Sequence, residues 1–367
     1  MLASEFDPRR NSLTLLRLGL ALVVAVTHGQ VNGFGWQPQV GATEIGQVAL
    51  DGFFVISGFL VTRSYLSLQS FPRFTWHRFL RIVPGFWVCL VVVALVVAPV
   101  AALLEGRSVA GLFSGDRSAL DYVLRNAALL MRQDGIAGLL ADTPNNEAFD
   151  GSLWTLFYEA LCYALLGVVG VCGILQRRRW LVALGTVALL GALLTVDTGL
   201  LPLAGSMPAL VVRFAFLFSL GATAWLYADR LPISGVLAAP AALLVVLALL
   251  TLEDYRPLGA VGLAYVLVWA IVRTPLRWSP RMDLSYGIYI YHWPVQQLLV
   301  LAGATSLGTT PFVSLSLVAA AGCAAMSWTL VERPALGQKN ARWVDRVRIR
   351  ARADAYADSA NQVGHRR

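Results

Sequence analysis

The stretch RLGLALVVAVTH, Arg17 to His28, carries its only ionisable residues at its two ends. Eleven residues separate Arg17 from His28, so an α-helix places both on one face, about 16 Å apart along its axis. The apolar residues between them indicate a segment that crosses a lipid bilayer, where ionisable side chains are costly. Both end residues are therefore candidates for a function.

The composition of the whole chain places it among membrane proteins. It has 367 residues, of which 57% are hydrophobic, and its mean hydropathy is +0.65, which is too apolar for a soluble domain. A net charge of +8 would suit nucleic-acid binding in a soluble protein. Here the arginines gather in short connections between apolar runs, as in the cytoplasmic loops of membrane proteins. We predict the lipid bilayer as a partner and no nucleic acid.

Apolar runs recur along the chain at the length needed to cross the roughly 30 Å hydrocarbon core as helices of about 20 residues. The ten predicted spans lie near 13–30, 44–66, 81–104, 152–173, 179–197, 207–228, 232–252, 257–273, 284–303 and 311–332. They predict an all-α, polytopic membrane protein with about ten transmembrane helices. We expect residues 1–334 to form the membrane domain and residues 335–367 a basic cytoplasmic tail, either a surface helix or disordered.

The distribution of arginine sets the predicted orientation of the spans. Cations follow the even-numbered spans, and the N-terminal segment and the tail are also basic, so the positive-inside rule places both termini in the cytoplasm. The longest connection, 105–150, holds seven acids and four arginines, a net charge of −3, and is predicted to lie outside. We expect a multi-pass protein of the cytoplasmic (inner) membrane.

Counting residues from the span ends places several ionisable side chains at one depth in the outer half of the membrane. His28, Asp51 and Glu159, on three different spans, fall at a similar level, and Arg213 lies slightly nearer the outside. A carboxylate that fixes the tautomer of a histidine makes the neutral ring a useful general base. We predict that His28, Asp51 and Glu159 are catalytic and that Asp51 orients His28. The alternative is a purely structural hydrogen bond between His28 and Asp51.

A second cluster of ionisable residues is cationic and lies on the predicted cytoplasmic side. In WHRFLRIVPGFW, Arg78 and Arg81 are three residues apart and share a helix face at the start of span three. The guanidinium fork suits phosphate groups. Topology signalling combined with contact to lipid headgroups explains such arginines equally well.

Two further stretches are rich in aromatic and polar residues. SLWTLFYEALCYALL holds Trp154 and Tyr158, and DLSYGIYIYHWPV holds Tyr289 and His292. Together with Arg213, these four are our candidates for contact with a substrate. Aromatic belts at the membrane interface and hydrogen bonds between helices are the alternative explanations.

Six motifs in order give the chain a resemblance to the acyltransferase-3 family of integral membrane acyltransferases. They are the Arg17–His28 spacing, DGFFVISGFLVT, RFLRIVP, SLWTLFYEALCYALL, LSYGIYIYHWPV and the closing VERP. The resemblance covers roughly residues 13–334. Some members of that family carry an additional C-terminal esterase-like domain; the expectation here is a stand-alone form without it.

The resemblance implies an acyl-CoA-dependent O-acyltransferase. A cytoplasmic acyl-CoA, with acetyl-CoA favoured, would donate the acyl group to a hydroxyl of a sugar, glycolipid or other glycan, without a metal. His28 would be the general base, and Arg17, Arg78 and Arg81 would contact the anionic donor. The acyl group passes either directly to the acceptor or through a covalent acyl intermediate.

A transporter or flippase is the competing class of function. In that case His28, Asp51 and Glu159 would relay protons across the membrane. The chain lacks the internal repeats and the paired, broken helices of many transporters, which argues against this class.

Overall fold

A computed structural model describes residues 1–8, 10–146, 148–197, 205–274 and 282–340. The long helices are α1 Leu13–Phe34, α2 Ile45–Leu68, α3 Phe71–Leu104, α4 Thr155–Val171, α5 Arg179–Asp197, α6 Met207–Leu226, α7 Gly235–Thr251, α8 Arg256–Arg273, α9 Ser285–Leu301 and α10 Thr309–Asn340. Residues 341–367 of the predicted tail lie outside the described residues, whereas 335–340 continue α10.

Short elements connect the long helices. Strands β1 (Gln39–Val40) and β2 (Thr43–Glu44) form an antiparallel hairpin between α1 and α2. The short helices are Leu2–Glu5, Val109–Phe113, Ala119–Asn126, Ile174–Arg177 and Ala304–Leu307. The described chain is thus helical apart from its loops and this small hairpin, and the predicted all-α class is confirmed.

Seven helices of the described chain are long and apolar enough to cross a membrane: α1, α2, α3, α5, α6, α8 and α10. Helices α4, α7 and α9 have 17 residues each and rise about 25 Å, slightly less than the roughly 30 Å hydrocarbon core. Every predicted span coincides with one of the ten helices, as a polytopic membrane protein requires.

Helices α3 and α10 are longer than predicted, and each contains a π-helical turn. The turns are Val93–Val97 in α3 and Trp328–Glu332 in α10, and a proline, Pro99 or Pro334, follows each turn by two residues. Proline lacks an N–H, and its ring clashes with the carbonyl four residues earlier, so a wider turn relieves the conflict. Both helices continue past their prolines for this reason.

Helices α2 and α6 approach each other through small residues. A methyl group on Gly58 would overlap the carbonyl oxygen of Phe218, and one on Gly221 would overlap that of Val55. Within a membrane, close backbone approach and dispersion contacts drive helix association in place of the hydrophobic effect. This contact sets α2 against α6 and thereby places the polar residues of α2.

Ion pairs tie together the connections that were predicted to be cytoplasmic. Arg273 at the end of α8 lies 2.6 Å from Glu5 of the N-terminal segment. Arg179 at the start of α5 lies 2.8 Å from Asp229, which follows α6. These contacts gather one end of every participating helix at the same end of the bundle, which we call the basic end. The alternation of charged connections predicted from the sequence agrees with this arrangement.

Candidate functional site

Two histidines from facing helices meet in the bundle. His28 on α1 and His292 on α9 approach to 2.8 Å between Nδ1 of His28 and Nε2 of His292. Their rings are nearly parallel, at 16°, and the edge of Trp293 packs against His28 with centroids 4.8 Å apart. His292 is fully buried, whereas His28 is partly buried. We call these two residues the histidine pair.

The two helices bring the histidines to one level because α9 begins beside Arg17. Asp283, two residues before α9, accepts a hydrogen bond from Arg17 at 3.0 Å. Measured along the helix axes, His28 lies about 16 Å from Arg17, and His292 lies about 13 Å from Asp283. Counted from the starts of the predicted spans, His28 lies fifteen residues into span one and His292 only eight into span nine, so the sequence alone places His292 well below His28.

An amide pair lies one helical turn beyond the histidine pair, away from the basic end. Asn32 donates to Oε1 of Gln296 at 2.9 Å, and each residue is four positions after its histidine on the same helix. Asn145, from the 105–150 connection, donates to Oδ1 of Asn32 at 2.9 Å. These bonds attach the 105–150 connection to α1 and α9 one helical turn beyond the histidine pair.

A cavity of about 420 Å³ opens on the other side of the histidine pair, toward the basic end. We call it the inner cavity. Its charged lining residues are five cations and two acids, a formal net charge of +3: Arg17, Arg63, Arg78, Arg81, Lys339, Glu159 and Asp283. Its far end includes Tyr289, whose ring centroid is 6.2 Å from that of His292. The inner cavity therefore reaches within one side chain of the histidine pair.

Asp283 organises the cations on one wall of the inner cavity. Arg17 and Arg81 each approach Oδ2 of Asp283 at 3.0 Å, and Ser285 donates to Oδ1 at 2.7 Å. Burial alone would raise the pKa of this carboxyl, but the two guanidinium groups outweigh burial and hold the pKa well below its usual range. Asp283 thus stays ionised and neutralises one of the two arginines.

Arg78 and Glu159 also line the inner cavity. The guanidinium of Arg78 lies over the ring of Tyr163 at 5.6 Å, and its buried Nε has no hydrogen-bond partner among the described residues. Glu159 accepts a hydrogen bond from Ser57 at 2.8 Å and another from Tyr163. The side chain of Glu159 therefore faces the cations of the inner cavity.

Asp51 is bound to cations elsewhere in the bundle. Its fully buried carboxylate accepts hydrogen bonds from Arg213 at 2.6 Å, Arg256 at 2.7 Å and the hydroxyl of Tyr255 at 2.8 Å. Both carboxylate oxygens are occupied in this way, and the partner of His28 is His292. The predicted pairing of Asp51 with His28 is thus corrected by the structure.

The depths predicted for Asp51 and Glu159 are corrected by the contacts between α1 and α2. These antiparallel helices place Gly46 against Thr27 and Gly52 against Leu20, so Asp51 lies about 10 Å from the level of His28 along the bundle axis. Glu159 contacts Ser57, further along α2, and so lies near the level of Arg17. The depths predicted from the sequence assume that all spans start at one level. In the structure, α1 extends beyond the outer end of α2.

The substrate-contact candidates separate into three groups. Tyr289 lines the inner cavity, and its hydroxyl donates to the carbonyl of Ser152 at 3.0 Å. Trp154 and Tyr158 pack against Phe214, with ring centroids 5.8 and 5.2 Å apart. Arg213 belongs to the Asp51 cluster, and His292 to the histidine pair. Tyr289 and His292 are therefore the candidates that the structure brings together.

Several residues of these clusters were not predicted from the sequence. Asp283, Tyr255 and Arg256 flank the starts of α9 and α8, where a charged or aromatic residue is ordinary at a membrane interface. Gln296 could have been found from its spacing, because it lies one turn after His292, as Asn32 lies one turn after His28.

A metal site would require three or more acidic, histidine or cysteine side chains close together. The described residues contain no such group able to hold a metal ion. The chemistry available at the histidine pair is that of imidazole, amide and aromatic side chains.

Comparison with known proteins places the chain in a family. The model of the acyltransferase-3 family, described as an acyltransferase domain, matches residues 10–329. The match extends over nearly the whole membrane domain, from before α1 into the π-helical turn of α10. No solved structure gave a significant match.

Three curated proteins are similar along most of their length. An O-acetyl transferase of Shigella phage Sf6 is 27% identical, with 89% of this chain and 96% of the relative covered. Nodulation protein 10 of Rhizobium leguminosarum bv. viciae is 28% identical, covering 89% and 93%. The exopolysaccharide production protein ExoZ of Rhizobium meliloti (strain 1021) is 26% identical, covering 82% and 92%.

The extent of the family match, together with the helical bundle, establishes the class of the protein. A family match over residues 10–329 includes helices α1 to α9, the part of α10 up to Thr329, most of the residues that line the inner cavity and both members of the histidine pair. This chain belongs to the acyltransferase-3 family and is a polytopic membrane enzyme that transfers acyl groups.

Proposed function

We propose that the protein moves an acyl group, most simply acetyl, from cytoplasmic acyl-CoA to a hydroxyl of a sugar, glycolipid or related glycan. The observation that carries this proposal is the cationic inner cavity that ends beside the histidine pair. Such a cavity offers an anionic donor a path from the basic end to two imidazole rings. The basic end would face the cytoplasm of a cell whose inner membrane holds the protein.

The inner cavity supplies the charge that a CoA donor needs. CoA carries phosphate groups at one end and a thin pantetheine arm that bears the acyl thioester at the other. Arg78, Lys339 and Arg63 would attract the phosphates together with Arg17 and Arg81, whose charge is half neutralised by Asp283. The arm would then extend past Tyr289 toward His28, over a rise comparable to the Arg17–His28 separation. Glu159 would help to position Arg78 in this donor site.

Acyl transfer would take place at His28. The acceptor hydroxyl gives its proton to His28 as its oxygen attacks the thioester carbonyl, the carbon–sulfur bond breaks, and the CoA thiolate leaves and takes up a proton. A covalent acyl intermediate would divide this transfer into two steps of the same kind. The protein would supply the base and would hold both reactants next to it.

The acceptor would approach the histidine pair from the side on which the amide pair, Asn32 and Gln296, lies. Asn32, Gln296 and Asn145 lie one turn beyond the histidines, and side-chain amides both donate to and accept from sugar hydroxyls. The relatives' names point the same way, since one is an O-acetyl transferase and another an exopolysaccharide production protein. A glycan hydroxyl is therefore the acceptor class that we propose.

The proton-relay transporter is less well supported. A relay needs its groups within reach of one another, directly or through water. His28, Asp51 and Glu159 instead belong to three separate hydrogen-bonded clusters.

The test is acyl transfer by membranes from cells that express the protein. Membranes are incubated with isotopically labelled acetyl-CoA, and glycans and glycolipids are analysed by mass spectrometry for a labelled acetyl group. We expect transfer by the wild type and none by His28→Ala, because the base is lost. Val23→Ala, on an exposed part of the same helix, is the matched control and should transfer normally. Full transfer by a well-folded His28→Ala protein would refute the assignment of His28.

A further inference from the structure

The histidine pair has a defined hydrogen-bond order, which starts at the main chain of α9. Nδ1 of His292 lies 3.0 Å from the carbonyl oxygen of Ile288, four residues earlier in the helix. Nε2 of His292 lies 2.8 Å from Nδ1 of His28. Both ring nitrogens of His292 are therefore engaged, while Nε2 of His28 makes no hydrogen bond with the described residues.

These contacts determine which nitrogen carries each proton. A carbonyl oxygen only accepts hydrogen bonds, so Nδ1 of His292 must be the donor to Ile288. A neutral imidazole has one N–H, which leaves Nε2 of His292 as an acceptor. Nδ1 of His28 must then carry the hydrogen between the two rings. The remaining nitrogen, Nε2 of His28, has a free lone pair.

The neutral form of His292 follows from its surroundings. Its ring is fully buried, and among the described residues no acid forms a hydrogen bond or an ion pair with either histidine. Two imidazolium rings joined by a 2.8 Å contact would repel each other, since two like charges would share a site sheltered from water. A single added proton would therefore reside on only one ring at a time.

We propose that His292 is a positioning residue that holds His28 in the tautomer whose Nε2 is free to take the acceptor's proton. This inference rests on the proposed function of His28 as the base. In the expectation from sequence this task belonged to the carboxylate of Asp51; here a neutral imidazole anchored to the carbonyl of Ile288 performs it. When Nε2 of His28 takes up a proton, Nδ1 still donates to His292, so the contact persists through the reaction.

The surroundings of His292 keep it in this orientation. Tyr289 lies between His292 and the inner cavity, with the ring centroids of Tyr289 and His292 6.2 Å apart. Gln296, one turn further out, donates to the carbonyl of Ala25 at 2.8 Å and accepts from Asn32. A rotation of the His292 ring that exchanged its two nitrogens would break both of its hydrogen bonds.

Nitrogen NMR tests the tautomer without using activity. The chain has four histidines, so protein labelled with 15N-histidine in lipid bilayers gives few signals, which single His77→Gln and His365→Gln variants help to assign. We expect His28 to be protonated at Nδ1 and bare at Nε2, and His292 to be protonated at Nδ1. A proton on Nε2 of resting His28, or a bare Nδ1 on His292, would overturn the proposal.

Two substitutions of His292 test how this residue affects the reaction. In His292→Gln an amide oxygen can still accept from Nδ1 of His28, whereas His292→Leu removes the acceptor. We expect His292→Leu to lower kcat about 100-fold, with the KM for acetyl-CoA changed less than about twofold, and His292→Gln to recover much of the loss. Tyr291→Phe, the neighbouring residue whose hydroxyl contacts Ser327 of α10, is the matched control.

The combined results separate the possible failures. Equal losses in the Gln and Leu variants, or an effect confined to KM, would contradict a positioning role for His292. If the wild type itself transfers no acetyl group while NMR gives the expected tautomers, the proposed function fails and the assignment of protons stands. If His292→Leu does not fold, the wild-type spectra and the Gln variant still decide the question.

Discussion

Among single residues, Arg78 brings to the inner cavity a positive charge that forms no ion pair with an acid of the described residues. Arg17 and Arg81 share the carboxylate of Asp283, whereas Arg78 lies over the ring of Tyr163 and keeps a buried Nε without a partner among the described residues. A buried donor that lacks a partner is costly to maintain. Such a donor is ready for an anionic ligand, which is the expected property of a phosphate contact.

Replacing Arg78 therefore tests the donor site. We expect Arg78→Ala to weaken CoA binding about tenfold or more, since a charge-assisted hydrogen bond contributes roughly 1.5–3 kcal/mol. Isothermal titration calorimetry with CoA on the purified protein measures this. Arg230→Ala, which removes an exposed arginine at the same end of the bundle, controls for the general loss of positive charge. An unchanged affinity in Arg78→Ala would exclude Arg78 from the donor site.

Side-chain partners were the part of the site that sequence reasoning predicted least well. The ionisable residues of the spans were identified correctly as unusual, because charge in an apolar run is visible in any sequence. Their partners depend on the helical face and on the offset between helices, which hydropathy does not encode. Asp51 thus received the wrong partner, and Arg256, at the very start of α8, was not considered.

At the scale of helices, the contact between α2 and α6 is the closest backbone approach that the glycines create. Gly221 lies against the carbonyl of Val55, and Gly58 against that of Phe218. The two glycines lie on opposite helices and make reciprocal contacts, so neither can take a side chain without separating the helices. Asp51 and Arg213 lie on these same two helices, so the contact also holds one of the buried ion pairs together.

Alanine substitutions at two glycines should therefore have opposite effects on stability. Gly221→Ala should destabilise the protein by about 1–3 kcal/mol, because the added methyl group overlaps the backbone of α2. Gly191→Ala in α5, where a methyl group meets no other atom within 4 Å, should be neutral or stabilise by up to about 1 kcal/mol through helix propensity. Melting temperatures in detergent measure both. A lower melting temperature for Gly191→Ala alone would contradict this packing.

The helices themselves were predictable because membrane spans require long apolar runs, and these are visible in one sequence. Helices α1, α2 and α5 begin within one residue of their predicted starts. The end of α10 was missed, because proline normally indicates a helix boundary and here a π-helical turn accommodates Pro334. The predicted end of α3 at 104 is confirmed, and the helix begins ten residues before its predicted start.

At the scale of the whole molecule, the histidine pair divides two chemically different halves. Toward the basic end lies the cationic inner cavity. Toward the other end lie neutral amides, and the 105–150 connection, with its net negative charge, covers them through Asn145. A donor with phosphates and an acceptor with hydroxyls would thus each find the matching chemistry on opposite sides of one pair of rings.

This division predicts that the two substrates respond to different substitutions. Asn145→Ala removes the bond to Asn32 that fastens the outer connection above the histidines. We expect about a fivefold to tenfold lower rate of acetyl transfer to membrane glycans at saturating acetyl-CoA, since the loss of this partly buried hydrogen bond costs roughly 1 kcal/mol. The affinity for CoA should stay within about twofold, because Asn145 is on the far side of the histidine pair from the inner cavity.

Asn146→Ala is the matched control for that substitution. Asn146 is the next residue in the same connection, and its side chain is exposed, so its loss should leave both acetyl transfer and CoA binding unchanged. Equal effects of the two alanines would mean that the connection tolerates no change at all, rather than that Asn145 matters. Loss of CoA affinity in Asn145→Ala would show that the two halves are coupled through the histidine pair, because a disturbance on the amide side would then reach the donor. Independent responses are expected if the rings of His28 and His292 are the only surface that both substrates share.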